Sequence, residues 1–188
     1  MADLISLYEY KEYEGLTSTK DDVKLMLVIS SVSQLVKTYC GNSIIDYYYS
    51  DKTEDFSIRW ATDMVQLTES PLVSVTSVQY RDSESLDYIT MSESDYHVDT
   101  ATDSVFRIRQ NWPRGFGAVK VTYRAGYSET PLDLKLAIMD LVRYYIKNEY
   151  KDRQTLSGAS IENPASSSKS SVAFPDHIKR VLDLYKNF

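Results

Sequence analysis

The chain has 188 residues and a mass of 21.6 kDa, with 43% hydrophobic residues, 26% charged residues and a formal net charge of −6. This composition is typical of a globular protein of one or two small domains and excludes whole-chain disorder and fibrous repeats. The sequence has no apolar stretch of the length that spans a bilayer and no basic, apolar leader, so it predicts synthesis in the cytosol and no membrane partner. Its one cysteine, Cys40, excludes an internal disulfide and a zinc site built from several thiolates.

Residues 1–43 predict the N-terminal helical part of the fold. A short helix is expected over Ser6–Tyr13, ending at Gly15, and a long one from about Lys20 to Cys40, with Gly41 just past its end. Hydroxyl residues followed by acids at the start of the long helix suit the positive end of its dipole. Its apolar residues recur at three- and four-residue spacing in two adjacent rows, which predicts a helix covered on two sides. The rows are Leu25, Val28, Val32, Leu35 and Tyr39, and Met26, Ile29, Val36 and Cys40.

Residues 44–128 predict an antiparallel, β-rich insertion, because short β-branched or aromatic segments alternate there with Ser, Asp and Gly. The best pair is Val105–Gln110 with Val119–Arg124, joined as a hairpin through the loop at 115–117. Strict alternation then places Phe106 and Ile108 on the inner face and a row of basic side chains on the other face. The basic row consists of Arg107, Arg109, Lys120 and Arg124.

Charge is unevenly distributed along this insertion. Thirteen acidic and three basic residues lie between positions 46 and 103, whereas five basic residues and no acidic one lie between 104 and 128. The basic row is therefore either a solvated strand face or an interface with an acidic protein surface. Recognition of single-stranded nucleic acid by this row is less favoured, because the aromatic side is predicted to face inward and the whole chain is acidic.

Residues 129–153 predict a second long helix, opened by Thr130 with Pro131 at its first position and ending near Tyr150. Residues 154–174 are rich in serine and predict a flexible linker. Residues 175–188 predict a short closing helix, and an apolar helix on a flexible tether is typical of a segment that docks on a partner. The apolar side of this helix carries Ile178, Val181, Leu182 and Tyr185.

The sequence contains no convincing catalytic, cofactor-binding or metal-binding motif. The glycines at 115 and 117 lead into a strand and lack a third glycine, and His97 and His177 have no second ligand at metal-binding spacing. The acidic residues near position 54 lack the glycine and terminal glutamate of a calcium loop. Two alternatives remain open: a small hydrolase that uses two carboxylates of the acidic stretch, and a carbohydrate-binding module. The module would use Tyr47, Tyr48, Tyr49, Trp60 and Trp112.

Several stretches, in their order along the chain, resemble the phage head–tail connector family of adaptor or head completion proteins. The matching stretches are Leu7–Asp22 leading to Leu35–Gly41, then Pro71–Val78, and above all Val121–Tyr127 followed by Pro131–Lys135. The Ser-rich segment and the closing helix also resemble the tail of that family. The similarity extends over nearly the whole chain, and the order of the motifs carries it more than any one of them.

This resemblance implies an α+β fold and a structural role. The expected fold is a helical bundle of two long helices plus short N- and C-terminal helices, with an inserted antiparallel β-rich subdomain. No catalysis and no cofactor are implied. The expected assembly is a homomeric, dodecameric ring in the virion neck, built in the host cytoplasm beneath the portal protein of a tailed bacteriophage. Genomic DNA would pass through the ring without sequence-specific binding.

The resemblance assigns a partner contact to one group of residues, and the charge pattern assigns one to another. The closing helix is expected to bind the portal protein, and the opposite side of the ring to receive a stopper or tail-terminator protein. The basic row Arg107, Arg109, Lys120 and Arg124 is expected to meet the acidic stretch of the adjacent subunit, because a head-to-tail ring joins two different patches of each copy. The expected portal-binding residues are Ile178, Lys179, Arg180, Val181, Leu182, Tyr185 and Phe188.

Overall fold

The computed structural model describes residues 2–147, 153–156, 159–162 and 174–186. These residues form four α-helices, one 3-10 turn and antiparallel sheets, which confirms the predicted α+β class. The chain divides into two compact units. The helical unit consists of residues 2–40 and 130–186, and the β unit consists of residues 41–129.

The helical unit contains α1 (Leu7–Glu14), α2 (Asp22–Cys40), α3 (Leu132–Ile146) and α4 (Asp176–Asp183). Local signals set both ends of α1, and its end before Gly15 is the one that the sequence predicted. The Ser6 hydroxyl accepts a hydrogen bond from the Glu9 N–H while the Glu9 carboxylate accepts one from the Ser6 N–H, and Gly15 ends the helix in the left-handed region. Gly41, at φ +66°, follows the last residue of α2 in the same conformation.

The core of the helical unit forms where α3 packs against α2 and α4. Both predicted rows of α2 contribute buried residues to this core. Met26, at the start of the second predicted row, is 55% exposed, so the buried surface of α2 does not include that end of the row. The buried side chains of this core include Leu25, Ile29, Val32, Val36, Leu134, Ile138, Leu141, Ile178 and Leu182.

The β unit holds two sheets. The four-stranded sheet contains β1 (Lys52–Ile58), β3 (Leu72–Tyr80), β4 (Ile89–Thr90) and β7 (Gly115–Ala125) in the order β1-β7-β3-β4. The three-stranded sheet contains β2 (Met64–Gln66), β5 (Tyr96–Asp99) and β6 (Ser104–Arg107) in the order β2-β6-β5. Their shared core includes Val65, Val78, Val105, Trp112, Val119, Val121 and Tyr123.

The predicted hairpin between the two last strands of this unit is wrong. Strand β6 pairs with β2 and β5, whereas β7 lies between β1 and β3 in the other sheet. The chain leaves β6 at Arg107 and passes through Arg109 at φ +67°. The Trp112 N–H then donates to the Thr62 carbonyl at 2.8 Å, and the indole ring is buried in the core. The glycines at 115 and 117 belong to the start of β7, not to a hairpin loop.

The predicted linker at 154–174 differs from the structure at its beginning. Strand β8 (Arg153–Leu156) pairs antiparallel with β9 (Ala159–Glu162). The sequence reason is the Ser-Gly pair between two segments that contain β-branched residues, a pattern typical of a short hairpin. The middle of the predicted linker, residues 163–173, lies outside the described residues, as does the predicted end of the second long helix near Tyr150.

Gly126, just after β7, is a position where only glycine fits. It has φ +99°, its N–H donates to the Pro71 carbonyl at 2.8 Å, and the Tyr127 N–H donates to the Ile44 carbonyl at 2.8 Å. A Cβ atom at Gly126 would collide with that same Ile44 carbonyl oxygen. The close approach of these two backbone segments therefore explains the glycine of the Arg124–Tyr127 motif.

We expect Gly126→Ala to destabilise the β unit by more than about 2 kcal/mol, because the substitution adds a backbone collision to an unfavourable φ. Gly117→Ala is the matched control. Gly117 also has a positive φ, but its Cβ would meet the movable end of the Arg81 side chain, so we expect a smaller loss. Urea unfolding followed by the fluorescence of buried Trp112 measures both. Equal losses in the two variants would contradict the collision.

The pKa of Glu9 gives the helical unit a defined acid sensitivity. The hydrogen bond from the Lys135 ammonium, at 2.9 Å, lowers the pKa of Glu9 from 4.5 to about 2 against the opposing effect of burial. The Ser6 N–H and hydroxyl act in the same direction as Lys135. Because the folded-state pKa is depressed, this contribution to stability is complete above about pH 4.5 and is lost as the pH falls towards 2.

We expect Glu9→Gln to reduce the loss of stability between pH 6 and pH 3 by about 1 kcal/mol at most, because the pair is partly solvated. Glutamine preserves the capping box, so the helix start is retained. Chemical denaturation at both pH values, followed by helical circular dichroism, measures the difference. Glu12→Gln, an exposed glutamate of the same helix, is the control, and an identical effect of the two substitutions would contradict the role of Lys135.

Candidate interaction surfaces

Arg107 of the basic row is part of the β-unit core edge. Its guanidinium carbon lies 4.8 Å from the ring centroid of Tyr80 and 5.8 Å from that of Trp112, and Nη1 donates to the Asn111 carbonyl at 2.9 Å. Val105 is fully buried, so the two-residue period of β6 turns Arg107 towards the same side. The prediction that Arg107 lies opposite an inner face formed by Phe106 and Ile108 is therefore wrong.

Phe106 is half-buried and Ile108 is 39% exposed, beyond the end of the strand. The sequence does not show which side of β6 faces inward, because aromatic and aliphatic side chains lie on both sides of this strand. Arg107 can lie on the inner side of β6 because its cation–π contacts place the charged side chain against the aromatic rings of Tyr80 and Trp112.

Lys120 and Arg124 lie on the outer face of β7 beside acids of the same chain. The Lys120 ammonium is 3.7 Å from Asp55, and Nε of Arg124 donates to Asp51 at 2.6 Å. The Lys120 ammonium also lies 4.0 Å from the ring centroid of Tyr88. Both acids belong to the acidic stretch, so part of its charge complementarity is satisfied within one chain. Arg109 is exposed and has no polar side-chain contact within the described part of the chain.

A cleft adjoins Arg107 between the two sheets. It has a volume of about 480 Å³, and the buried Nε atom of Arg107 has no hydrogen-bond partner among the described residues. No sequence pattern indicates this cleft, because its walls come from β3, β4, the 3-10 turn at Glu93–Asp95 and β6, which only the tertiary fold brings together. Its lining residues are Tyr80, Ile89, Thr90, Met91, Ser92, Asp95, Arg107 and Gln110.

Two acids of the acidic stretch, Glu54 and Glu69, are held in a largely buried network around Lys52. The Lys52 ammonium contacts Glu54 at 2.6 Å and Glu69 at 2.8 Å, and Glu69 also accepts hydrogen bonds from the N–H and hydroxyl of Ser43. Burial by itself would raise the pKa of Glu54, but hydrogen bonds from Lys52 and Thr68 and the Lys52 charge outweigh it and lower that pKa. The negative charges of Glu54 and Glu69 are therefore balanced by Lys52 within the same chain.

The hydrolase alternative gains no support from this arrangement. The cleft beside Arg107 is lined by one carboxylate, Asp95, and the described residues include no group of three or more His, Cys, Asp or Glu side chains placed to hold a metal ion. Cys40 is fully buried, and burial raises the pKa of its thiol to about 11. A thiol in this environment is inert as a nucleophile.

The aromatic residues of the carbohydrate-binding alternative do not share one exposed surface. Trp112 is 2% exposed, and Tyr47 and Tyr48 are half-buried. Tyr49 and Trp60 are exposed, at 75% and 81%.

No helix within the described ranges has both the length and the apolar character needed to cross a bilayer.

Helix α4 begins after Pro175 as predicted, but its apolar side is occupied by its own chain. Ile178 and Leu182 are 1% and 0% exposed within the helical unit. The Tyr39 hydroxyl donates to Asp183 at 2.6 Å and the Tyr185 hydroxyl donates to Asp133 at 2.6 Å, which fixes α4 to both α2 and α3.

The expectation that Ile178 and Leu182 are left for a partner is therefore wrong, because α2 and α3 already supply their apolar contacts. Lys179 and Val181 are half-buried, Arg180 is exposed, and Leu184, just after the helix, is 77% exposed. Phe188 lies outside the described residues. Portal binding by α4 stays a prediction, and the residues available for it are those on the exposed side of the helix, around Arg180 and Leu184.

We expect Leu182→Ala to destabilise the helical unit by about 2–5 kcal/mol, because it leaves a cavity in a closely packed core. Leu184→Ala should change stability by less than about 0.5 kcal/mol, because Leu184 is exposed. Thermal unfolding followed by circular dichroism at the helical band compares the two. Equal stability of both variants would mean that α4 is not part of the folded core.

Comparison with known proteins places these surfaces in context. A family profile described as "Head completion protein" matches residues 3–188. The chain is 24% identical over 184 residues to the head completion protein of Escherichia phage T5, covering 97% of this chain and 98% of that protein.

Solved structures with a similar fold come from gene transfer agent (GTA) particles. A chain in the neck of the empty particle, computed with sixfold symmetry, has a TM-score of 0.63 at 14% identity, covering 98% of this chain and 90% of its own. A chain in the neck of the native particle, computed with twelvefold symmetry, has a TM-score of 0.60 at 12% identity, covering 100% of this chain and 94% of its own.

Proposed function

We propose that this chain, which belongs to the head completion protein family, connects the phage head to the tail as a ring beneath the portal protein. Members of the family are structural components of the virion, not enzymes. The family match over residues 3–188 is the observation that carries the proposal, because it spans both units and all four helices.

The proposed ring contains twelve copies in the virion neck. The similar chain from the native GTA neck belongs to a structure computed with twelvefold symmetry, and the similarity covers the full length of the present chain. A closed ring needs two different patches on each copy, which meet head to tail. Assembly would take place in the host cytoplasm, with a stopper or tail-terminator protein joining the side away from the portal.

Portal contact is proposed for the side of α4 that the helical unit leaves open. Arg180 and Leu184 offer one positive charge and one large apolar side chain there, with Lys179 and Val181 at the margin. An apolar side chain next to a positively charged one suits a protein surface that combines a hydrophobic pocket with an acidic rim.

Passage of DNA through the ring agrees with the charge of the chain. The formal net charge is −6, and binding to phosphates depends on clustered Lys and Arg side chains that displace counterions. Lys120 and Arg124 are already paired with Asp55 and Asp51 of their own chain. DNA would therefore pass such a ring without strong adhesion.

Of the basic row, Arg109 is the member best placed to meet an acidic surface of the adjacent subunit. Arg107 is held against Tyr80 and Trp112, whereas Arg109 is exposed. A contact of this kind lies at an interface rim and contributes mainly to orientation and association rate. Its contribution would be screened within about 8–10 Å at physiological salt.

We expect the chain, mixed with the portal protein of its own phage, to add twelve copies of 21.6 kDa to the portal ring. Native mass spectrometry gives the copy number, and negative-stain images show whether the added density is a ring. The mixture is repeated with Arg109→Glu, which should weaken the contact between adjacent subunits, and with Leu184→Glu, which should weaken the contact with the portal protein. Masses that remain those of the separate proteins at every salt concentration would overturn the proposed function.

A further inference from the structure

The outer face of α2 is nearly free of charge although it faces solvent. Eight positions of this helix are exposed, and Lys24 is the one charged residue among them. A solvent-facing helix side normally carries several charged residues, and depletion of charge is typical of the core of a protein interface. We define the α2 outer face by the other seven positions: Val23, Met26, Leu27, Ser30, Ser31, Gln34 and Thr38.

The first turns of this face expose large apolar side chains. Val23 is 74% exposed, Met26 55% and Leu27 66%, and their spacing of one, three and four residues places them together on the helix surface. Single exposed apolar residues are ordinary, but three that form one cluster indicate a contact surface.

The remaining part of the face is small and turns its hydroxyl groups inward. The Ser31 hydroxyl donates to the Leu27 carbonyl at 2.8 Å, and the Thr38 hydroxyl donates to the Gln34 carbonyl at 2.9 Å. These side chains satisfy their donors on their own helix and leave little polar demand towards a partner. Small residues such as Ser30 and Ser31 also let a second element approach closely.

A second apolar patch lies on α3 of the same unit. Leu132 is 81% exposed and Leu136 51%, four residues apart on one side of the helix, and the exposed Asp133 stands beside them. The α2 outer face carries a positive charge at its margin, Lys24, and the α3 patch carries a negative one. Both patches are therefore apolar, and Lys24 and Asp133 place opposite charges at their margins, although the exposed Asp21 also lies near the start of the α2 outer face.

We propose that the α2 outer face binds a second copy of this chain, through the Leu132–Leu136 patch of that copy's α3. The inference rests on the proposed ring and names the contact between adjacent subunits. Two different patches, on two different helices of one compact unit, give a head-to-tail contact that repeats from copy to copy. The second copy is favoured over another protein because the chain itself carries the matching patch.

Disulfide trapping tests this contact directly. The protein carrying both Leu27→Cys and Leu136→Cys is assembled on the portal, oxidised and run on a non-reducing gel. We expect a ladder of covalent multimers, because each copy then bridges to the next on both sides. Either single substitution should give no ladder, and neither should the control pair Leu86→Cys with Leu136→Cys. Native Cys40 is fully buried and should not contribute.

Charge insertion gives an independent measurement. Leu27→Glu should raise the concentration needed for ring assembly about tenfold or more, because it buries an unpaired charge at the contact. Its thermal unfolding should match that of the unaltered protein, since Leu27 is exposed in the isolated unit. Leu86→Glu, at a position that is 54% exposed in the β unit, is the matched control.

The outcomes separate this inference from the function on which it rests. Rings that form normally with Leu27→Glu, and that give no ladder with the cysteine pair, overturn the contact and leave the ring intact. Rings that form with Leu27→Glu but detach from the portal overturn the second copy as occupant and assign the face to the portal. Failure of the unaltered protein to form any ring overturns the proposed function, and this inference falls with it.

Discussion

The buried hydroxyl of Tyr123 is the constraint on which much of the β unit depends. Tyr123 lies on β7, the strand that pairs with both β1 and β3, and its side chain is fully buried, which raises the pKa of its hydroxyl. A buried hydroxyl needs a partner, and here it accepts a hydrogen bond from the Glu69 N–H at 3.2 Å. The Glu69 carboxylate is buried in turn and is satisfied by Ser43 and Lys52. One aromatic side chain in the central strand thus fixes the position of a polar network that joins three segments.

Magnitudes show why this network and the outer ion pairs have different roles. Removing one partner of a buried charged group costs about 3–5 kcal/mol, because the other charge is left unpaired away from water. An exposed pair such as Lys120 with Asp55 contributes about 0–1 kcal/mol and weakens with salt. The acidic stretch is therefore partly a structural feature of the subunit, through Glu54 and Glu69. Other acids of the stretch, such as Asp82, Glu84 and Asp87, are exposed and add negative charge to the surface.

Local signals predicted the ends of α1 and α2 well, because such signals act within a few residues. The predicted start of α3 is wrong in detail: Pro131, not Thr130, is the N-cap residue, and no side chain caps the helix. Gly15 and Gly41 end α1 and α2 where the sequence placed them, whereas the Ser6–Glu9 capping box is found in the structure alone. The β pairing was not predictable in the same way, since β6 and β7 are close in sequence but find their partners in different sheets. The docking of α4 was missed for a similar reason. Its apolar side looked unpartnered because the groove that buries Ile178 and Leu182 is formed by α2 and α3, which are distant in the chain.

Burial of α4 changes what remains available for assembly. A free amphipathic helix would give each subunit one strong binding element, whereas a docked one leaves smaller surfaces, such as the three apolar side chains at the start of α2. Small surfaces are sufficient in the proposed ring, because a subunit that binds one neighbour is held close to the next and closure adds a contact without a new encounter. The same small surfaces keep the exposed apolar area of a single copy low, which limits its unspecific association. In the proposed ring, weak pairwise contacts together with ring closure would therefore be sufficient for assembly where a portal template gathers many copies.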